Sequence, residues 1–376
     1  MVSIIGNCKE IDSSQAPSVS IVIPVSIPDN IKRCLQSLRR TKYSNMDIVI
    51  AVNNDLPTVV TKTVANIKEE TNKFPQSIEC RIVAKHETLG YARACNIGFR
   101  HSTGQYVIFL NDDVVVEPDC IRELVKIGEK DYNIACVQPK TLSLRDSKMF
   151  DYAGAAGGFI DIYGIPFCAG RIFDIIEKDR DQYDYVKDIF WASGVALFCR
   201  STVVNEVGLF DEEFFSYMEE IDFAFRILYR GYKIVLAPSA KIYHLGSATT
   251  TKLDVNKDYL NYRNNFLMLL KNYELKDLLK IVAPRLFLDS LNFLSRLHRG
   301  DEKSAMSIPR AFFALIVRDL RHVFRERASL RRLRKVNSNY VKKRMLLKSI
   351  VLLYKLGRIK HFQQIRGLIP CVEKEQ

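Results

Sequence analysis

A strand pattern alternates with a helix pattern through the first third of the sequence. Apolar, β-branched runs of six to eight residues recur, and the segments between them place apolar residues at helical spacing. The predicted strands are "SVSIVIPV" (18–25), "DIVIAV" (47–52), "ECRIVAK" (79–85) and "QYVIFL" (105–110), and the predicted helices are 29–40, 58–72 and 90–102. Strands that alternate with helices predict a parallel sheet covered on both faces.

Three of these strands end at a proline or at polar residues. These residues are Pro24, the run Asn53–Asp55 and the run Asn111–Asp113. In parallel sheets, ligands bind beyond the carboxyl ends of the strands, so these residues are expected to meet at one crevice.

The segment "VIFLNDDVVV" (107–116) runs from a buried strand into two adjacent carboxylates. Buried carboxylates are costly unless something compensates them, and Mg²⁺ or Mn²⁺ bound with substrate phosphates is the compensator that we expect. The alternative is that Asp112 caps the helix predicted around 118–127 and that Asp113 is solvated.

A second acidic group stands among aromatic residues in "VGLFDEEFFSYMEEIDFAFRILYRGYKIVLAP". Glu219, Glu220 and Asp222 predict either a partly desolvated general base or the acidic first turn of a helix that ends at Gly231. The strand that follows leads to His244, a candidate third metal ligand or diphosphate contact.

The strand "IFWASGVALFCRS" (189–201) holds the single tryptophan of the chain and an internal glycine. Trp191 could stack on a sugar or lie in the core. Gly194 indicates the close approach of a ligand or of another chain segment.

Together these segments resemble glycosyltransferase family 2, the inverting GT-A-fold transferases, and especially its rhamnosyltransferase-like branch. The resemblance covers roughly residues 17–265 and rests on the order and spacing of "SIVIPV", "LGYARACNIGFRHSTGQYVIFLNDDV", "ASGVALFCRS", "GLFDEEFFSYMEEIDFAFRILYRGYKI" and "AKIYHLGS". It implies an α/β GT-A fold, Rossmann-like, with a mostly parallel central sheet flanked by helices. It also implies a metal-dependent, inverting transfer of a hexosyl or deoxyhexosyl group from a nucleotide-diphosphate sugar to a hydroxyl of a glycan or polyprenyl-linked acceptor, with Mn²⁺ or Mg²⁺ as cofactor.

The resemblance also assigns roles to residues. Glu220 matches the catalytic base, and Asp113 and His244 match the metal ligands. The nucleotide-sugar pocket is assigned to Pro24, Asn53, Asp55, Gly90, Arg93, Asn96, Asn111 and Asp112. The acceptor or sugar pocket is assigned to Trp191, Gly194, Glu219 and Asp222.

Charged residues are distributed unevenly along the chain. Residues 251–376 contain 28 Lys and Arg against 11 Asp and Glu, whereas residues 1–250 contain 28 against 32. We therefore divide the sequence into a lead (1–16), a catalytic domain (17–250, with a nucleotide-sugar half at 17–115 and an acceptor half at 116–250) and a basic, amphipathic helical C-terminal region (251–376). From 325 to 356, apolar residues are interspersed with Lys and Arg, a pattern typical of helices in a membrane interface. A helical cap on the catalytic domain and a homodimer interface are the alternatives.

The nine cysteines are scattered singly, which indicates reduced thiols, and the N-terminus lacks the pattern of a signal peptide. These features predict a cytoplasmic protein, peripheral on the inner face of the cell membrane. Two other function classes compete with the transferase. One is a sugar nucleotidyltransferase, which normally has a Gly-rich basic loop where this chain reads "IPVSIPDN". The other is a non-catalytic protein that binds nucleic acid or another anionic surface through the basic tail, for which aromatic-basic interleaving is not evident.

Overall fold

The computed structural model describes residues 16–26, 30–246 and 256–373. Within these ranges the predicted alternation is confirmed. The first elements in chain order are β1 (Val19–Val25), α1 (Ile31–Leu38), β2 (Met46–Asn53), α2 (Pro57–Thr71), β3 (Cys80–Lys85), α3 (Gly90–Arg100) and β4 (Tyr106–Leu110). The strands form because their β-branched residues are buried on both faces of the sheet, and α2 begins at a proline, which suits a first helical position.

The second part of the sheet region contains nine further strands, of two to twelve residues, and three further helices. They are β5 (Val114–Val116), α4 (Cys120–Gly128), β6 (Ile134–Ser143), β7 (Gly158–Ile160), β8 (Pro166–Cys168), β9 (Arg171–Ile172), β10 (Ile175–Ile176), β11 (Lys187–Asp188), β12 (Ala196–Arg200), α5 (Ser201–Val207), α6 (Glu219–Tyr229) and β13 (Lys233–His244). Strands β7 to β10 form a small antiparallel sheet of their own, in the order β10-β9-β8-β7.

The main sheet has the order β11-β13-β6-β12-β4-β1-β2-β3, and β5 pairs with β13 at its far end. The pairs β1–β2, β1–β4, β2–β3 and β6–β13 are parallel, whereas β12 runs antiparallel to both of its neighbours. One face of the sheet packs on α1, α2 and α4, and the other packs on α3, α5, α6 and the helices that follow. Because β1, β2 and β4 are parallel, their carboxyl ends lie at one edge.

The described residues after 256 are mostly helical. The helices are α7 (Lys257–Asn272), α8 (Leu275–His298), α9 (Glu302–Ala314), α10 (Leu320–Leu333), α11 (Ser338–Lys342), α12 (Ile350–Lys355) and α13 (Pro370–Glu373), and a π-helical turn (Leu315–Asp319) joins α9 to α10. Many of their buried apolar residues belong to the same hydrophobic cluster as α6 and the small sheet. No helix within the described ranges combines the length and apolar character needed to cross a bilayer.

The segment 325–356 differs from the interfacial helix that its sequence predicts. Helix α10 ends at Leu333, and several of the apolar residues that follow are buried against the rest of the protein, among them Met345, Leu346 and Ile350. Leu346 donates its backbone N–H to Ile160 in the small sheet, at 3.0 Å. Tertiary packing therefore covers part of the apolar side chains of this segment, as in the helical-cap alternative, whereas Leu347, Leu352 and Leu356 are exposed.

Candidate active site

The acidic pair lies in the short turn between β4 and β5. Asp112 and Asp113 are each 7% exposed. The backbone N–H of Asn111 donates to the carbonyl of Val195 at 3.0 Å, which ties the turn to the residues that precede β12. The two carboxylates are thus held, nearly buried, at the edge where the parallel strands end.

His244 lies directly beside this pair. It is the last residue of β13 and pairs with Val114 in β5, the neighbour of Asp113. Its Nε2 is 3.1 Å from Asp113 Oδ1, and its Nδ1 is 2.9 Å from Asp151 Oδ1. Burial lowers the pKa of His244, but the hydrogen bonds and charges of Asp113 and Asp151 outweigh it and raise the pKa to about 10. Without a metal, the protonated imidazole therefore donates one N–H to Asp113 and the other to Asp151.

The second acidic group begins α6. Three residues before it have positive φ angles: Phe215 (61°), Tyr217 (73°) and Met218 (72°). Such angles are costly for residues other than glycine and persist only where the surroundings impose them. The tight turn that they form directs Glu219 and Glu220 into the protein at the start of the helix.

Burial changes the chemistry of both glutamates. Each has one carboxylate oxygen that is inaccessible to solvent and lacks a hydrogen-bond donor among the described residues. Desolvation raises the pKa of Glu220 to about 7. Desolvation and the charge of Glu220 raise the pKa of Glu219 well above its usual range. Burial thus favours the protonated form of Glu219, while Glu220 can both lose and accept a proton near neutral pH.

Tyr91 and Gly194 join the two acidic groups. The Tyr91 hydroxyl donates to the carbonyl of Gly194 at 2.6 Å, one residue before the Val195 that holds Asn111. A side chain on Gly194 would collide with the Tyr91 hydroxyl. The sequence predicted that a ligand or another chain segment approaches this glycine closely, and Tyr91 is that segment. Burial raises the pKa of Tyr91, and the nearby charges of Cys95, Glu219 and Glu220 raise it further. Both acidic groups are thus near Tyr91 and Gly194: the backbone of Asn111 contacts Val195 beside Gly194, and the charges of Glu219 and Glu220 act on the Tyr91 hydroxyl.

Asn53 and Gly90 bring neighbouring backbone segments together at the same edge of the sheet. The Asn53 side-chain oxygen accepts from the Leu89 N–H at 3.2 Å, and its amide donates to the Val25 carbonyl at 3.3 Å. Gly90 has φ +71°, and a Cβ there would lie 2.5 Å from the Phe215 carbonyl oxygen. These two residues therefore connect the ends of β1 and β2 to the turn that presents the glutamates.

A cavity of about 270 Å³ opens beside Asp113. It is lined by Asn30, Lys32, Arg33, Gln36, Asp113 and Leu245. Two basic side chains of α1 thus stand across from a carboxylate, a combination that suits a phosphate group bound together with a cation. Glu220 does not line this cavity.

Three predicted site residues do not line the cavity beside Asp113. Pro24 lies within β1, paired with Ala51, and Asp55 is exposed just beyond β2. Arg93 is on the surface and pairs with Glu87 and Glu212. These contacts leave Pro24 and Asp55 near the carboxyl edge and turn Arg93 toward the loop before α6.

Three further predicted residues are held in the interior. Asn96 is buried, and its side chain binds the N–H and carbonyl of Phe210. Trp191 is 5% exposed and donates to the Phe159 carbonyl, so its ring packs in the core. Asp222 contacts Lys271 at 3.0 Å and Asn272 at 2.8 Å. The structure does not bring these three to the carboxyl edge with Asp113 and Glu220, and their contacts are those of structural residues.

Two residues of this region were not identified from the sequence. Asp151, the second partner of His244, follows β6 and is the first residue of a glycine-rich segment. Its acidic side chain was the only sequence feature that could have indicated a role in the site. Asn264 in α7 donates to the carbonyls of Phe214, Ser216 and Tyr217 at 2.7–2.9 Å, and so supports the turn before Glu219. No local pattern marks it, because its partners lie some fifty residues away.

Comparisons with known proteins match this chain to sugar-transferring enzymes. Two overlapping family models, glycosyl transferase family 2 and glycosyl transferase family group 2, match residues 20–154 and 106–264. The N-acetylglucosaminyl-diphospho-decaprenol L-rhamnosyltransferase of Mycobacterium tuberculosis is 29% identical over 267 residues, which cover 66% of this chain and 82% of that protein. The low-salt glycan biosynthesis hexosyltransferase Agl10 of Haloferax volcanii is 24% identical over 184 residues, which cover 47% of this chain and 56% of that protein. For another curated relative, the aligned region spans only 26% of its length.

The solved structures include a mannosyltransferase of Pyrobaculum calidifontis in complex with GDP-Man and Mn²⁺. It superposes with a TM-score of 0.51 at 13% sequence identity and covers 86% of this chain and 87% of that one. The likeness concerns the fold, and it confirms the predicted GT-A arrangement of a mostly parallel sheet between helices.

Proposed function

The chain belongs to glycosyltransferase family 2, in its rhamnosyltransferase-like branch, and we propose that it transfers a hexosyl or deoxyhexosyl group from a nucleotide-diphosphate sugar to a hydroxyl group with inversion at the anomeric carbon. The observation that supports the proposal is the proximity of two acidic groups to Gly194 and Tyr91: the backbone of Asn111 contacts Val195 beside Gly194, and the charges of Glu219 and Glu220 act on the Tyr91 hydroxyl. One group has the donor atoms for a cation, and the other contains a carboxylate whose pKa is about 7.

Glu220 acts as the general base in this proposal. It accepts the proton of the acceptor hydroxyl while that oxygen attacks the anomeric carbon. The bond between this carbon and the diphosphate oxygen breaks on the opposite face, and the nucleoside diphosphate leaves with the electron pair. A carboxylate with a pKa near the working pH suits this role, because it is ionised before the reaction and still basic enough to accept a proton. Glu219, whose protonated form is favoured by burial, can donate a hydrogen bond to a sugar hydroxyl.

Asp112, Asp113 and His244 fit a divalent cation. Carboxylate oxygens are the ligands that Mg²⁺ and Mn²⁺ prefer, imidazole is acceptable to Mn²⁺, and a nearly buried acidic pair calls for a compensating charge. When bound, the cation would offset negative charge on the departing diphosphate. Asp151 would orient His244 through Nδ1, the usual arrangement for a ligating histidine. Lys32 and Arg33 would attract the phosphates from α1.

We further propose that the acceptor is a glycan or a polyprenyl-linked saccharide and that the enzyme works on the cytoplasmic face of the cell membrane. The support is the mycobacterial relative, which is named for a decaprenol diphosphate-linked sugar. A screen of nucleotide sugars with Mn²⁺ or Mg²⁺ tests the proposed activity. We expect one donor class to raise the melting temperature only when the cation is present, and to be hydrolysed or transferred. A chain that no nucleotide sugar stabilises, with either cation, would contradict the proposal.

Asn264 provides a test of the turn that presents the base. Asn264→Ala removes the donor from three carbonyls of a strained turn, so we expect the transfer rate to fall about 10- to 100-fold, as for a small displacement of a catalytic group. A loosened turn also admits water to Glu220. The pH at which the rate is half-maximal should therefore move below 7, toward the ordinary pKa of a glutamate.

The matched control is Asn261→Ala, on the same helix, where the side chain is half-buried and donates to the Lys257 carbonyl of its own helix. It should leave the rate and the pH profile unchanged. If Asn264→Ala lowers the melting temperature but keeps the wild-type pH profile, Asn264 has a structural role only.

A further inference from the structure

Helix α8 exposes many apolar residues and buries several polar ones, unlike a typical surface helix of a soluble protein. Its outward residues form an apolar stripe along its length: Leu275, Leu279, Leu286, Phe287, Leu291, Leu294 and Leu297. From Arg285 onward, its fully buried residues are polar. Arg285 and Asp289 are buried as a pair, and Arg296 binds Asp258 of α7. An amphipathic helix usually buries its apolar side, so the outward stripe calls for an apolar environment outside the protein.

A second stripe runs along α9, the π-helical turn and α10. Met306, Phe313, Ile316, Val317, Leu320 and Phe324 are all exposed. The opposite side of these helices is covered: Ala305, Ile308, Ala311 and Leu315 are buried, and Asp319 binds Arg263 of α7 at 2.8 Å.

The two stripes lie side by side because both helical segments pack on neighbouring faces of α7. Helix α8 reaches α7 through the pairs Arg296–Asp258, Asn292–Tyr262 and Arg285–Asn265. The other segment reaches it through Ser307–Asn256, Asp319–Arg263 and Phe312–Phe266. The first set contacts α7 at positions 262 and 265, and the second contacts it at the next residues, 263 and 266. Consecutive residues are about 100° apart around a helix, so the two sets lie on adjacent faces of α7. Both stripes therefore point away from α7.

Together the stripes form a surface that we name the apolar platform, the thirteen exposed apolar residues of the two stripes. Their exposed fractions range from 37% to 75%, and they are thirteen of the twenty-one large apolar side chains exposed in the described ranges. Contiguous apolar patches of this kind mark protein–protein or membrane interaction sites.

Charge distinguishes between these two occupants. Between 275 and 325, the exposed basic residues are Lys276, Lys280, Arg299, Lys303, Arg310, Arg318, Arg321 and Arg325, whereas the exposed acidic residues are Asp301 and Glu302. A second copy would bring an equally basic surface against this one, and like charges oppose that contact. Anionic lipid headgroups are complementary to the basic residues, and acyl chains to the apolar ones.

We propose that the apolar platform seats this protein in the interface of a bilayer that contains anionic lipids. Helices α8, α9 and α10 lie in the headgroup region with their apolar stripes toward the acyl chains, and none crosses the bilayer. Membrane docking extends the proposed function, which needs access to a lipid-linked acceptor, but it follows from exposure and charge alone. It also assigns membrane contact to residues 275–325 rather than to the basic segment 325–356.

Helix α7 connects the platform to the catalytic turn. Arg263 binds Asp319 on the platform side and donates to the Glu213 carbonyl on the other. The next residue, Asn264, holds the carbonyls of the turn before Glu219. Docking through α8 to α10 therefore fixes the position of the catalytic glutamates relative to the membrane surface.

Sedimentation of the full chain with vesicles tests the proposal. The vesicles contain phosphatidylcholine alone or with about 30% phosphatidylglycerol. We expect the wild type to sediment with the anionic vesicles, and the triple variant Phe287→Ser, Phe313→Ser, Phe324→Ser to bind at least about 10-fold more weakly. These phenylalanines are 63–68% exposed, so their replacement should leave the fold intact, as circular dichroism would verify.

The matched control replaces Leu347, Leu352 and Leu356 by serine. These leucines are 48–63% exposed and lie in or next to the segment whose sequence pattern predicted membrane contact. The control should sediment like the wild type. Equal binding of the wild type and the phenylalanine variant, or loss of binding in the leucine variant alone, would overturn the proposal. A wild-type dimer in light scattering that the phenylalanine variant dissociates would instead assign the platform to a second copy.

Cation-dependent binding of the nucleotide sugar is measured separately, in solution without vesicles. The phenylalanine variant should retain it. Loss of membrane binding with intact donor binding is thus distinct from a failure of the proposed transferase activity.

Discussion

Glu220→Gln is expected to lower the rate of sugar transfer by about 10²- to 10⁴-fold, the usual contribution of a general base, while donor affinity stays near the wild-type value. Glutamine has the shape of glutamate but cannot accept the proton of the acceptor hydroxyl. Because burial raises the pKa of Glu220 to about 7, the wild-type rate should fall below pH 7, where the carboxylate becomes protonated. Steady-state kinetics between pH 5.5 and 9 measure both effects.

The melting temperature of Glu220→Gln distinguishes a loss of catalysis from a loss of folding. A carboxyl group whose pKa is raised in the folded state stabilises the fold while it is protonated, and this contribution is lost as the pH rises through 7. A neutral glutamine removes that loss, so Glu220→Gln should melt at a higher temperature than the wild type at pH 8. Glu213→Gln, an exposed replacement seven residues earlier, serves as the control with unchanged rate and stability. A Glu220→Gln enzyme with wild-type activity would show that the base lies elsewhere.

The sheet and its polar edge could be predicted because they depend on local patterns. Apolar runs that end in Asn53 or in Asn111–Asp113 identify strands and the place where they stop. His244 meets Asp113 for the same reason, since it ends β13 and β13 pairs with β5. Asp151 could not be assigned in this way, because the path of the loop between positions 151 and 244 sets its contact with His244.

Residues near a motif were less predictable, because proximity in sequence does not determine the side on which a side chain packs. Asp222 lies two residues after Glu220, yet it points to Lys271 in α7 and not to the sheet edge. Trp191 lies three residues before Gly194, yet core packing covers its ring. The C-terminal region shows the same limit. Helical periodicity identifies an apolar side, but only the partners on α7 reveal that α8 turns its polar side inward and leaves the apolar one exposed.

Asp113→Asn is expected to abolish the cation dependence of donor binding. The amide keeps the size of the side chain but removes the charge that a cation requires at the end of β4. The same change removes one of the two carboxylates that raise the pKa of His244, so the imidazole loses part of its anchoring. Loss of a group that merely supports a ligand costs about 10- to 100-fold in metal affinity, and loss of a charged ligand should cost more. Calorimetric titration with a nucleoside diphosphate, in Mn²⁺ or in a chelator, measures the difference.

The control for this variant is Asp181→Asn. Asp181 forms a separate cluster with Asp179 and Asp184, whose carboxylate oxygens lie close enough together to hold a metal ion, but Lys140 already lies among them and neutralises part of their charge. We therefore expect Asp181→Asn to bind the nucleotide with wild-type dependence on Mn²⁺. The opposite pattern, with dependence lost in Asp181→Asn and kept in Asp113→Asn, would move the metal away from the strand end. The carboxylates that follow β4 would then serve the fold, as caps and partners of His244, and not the donor.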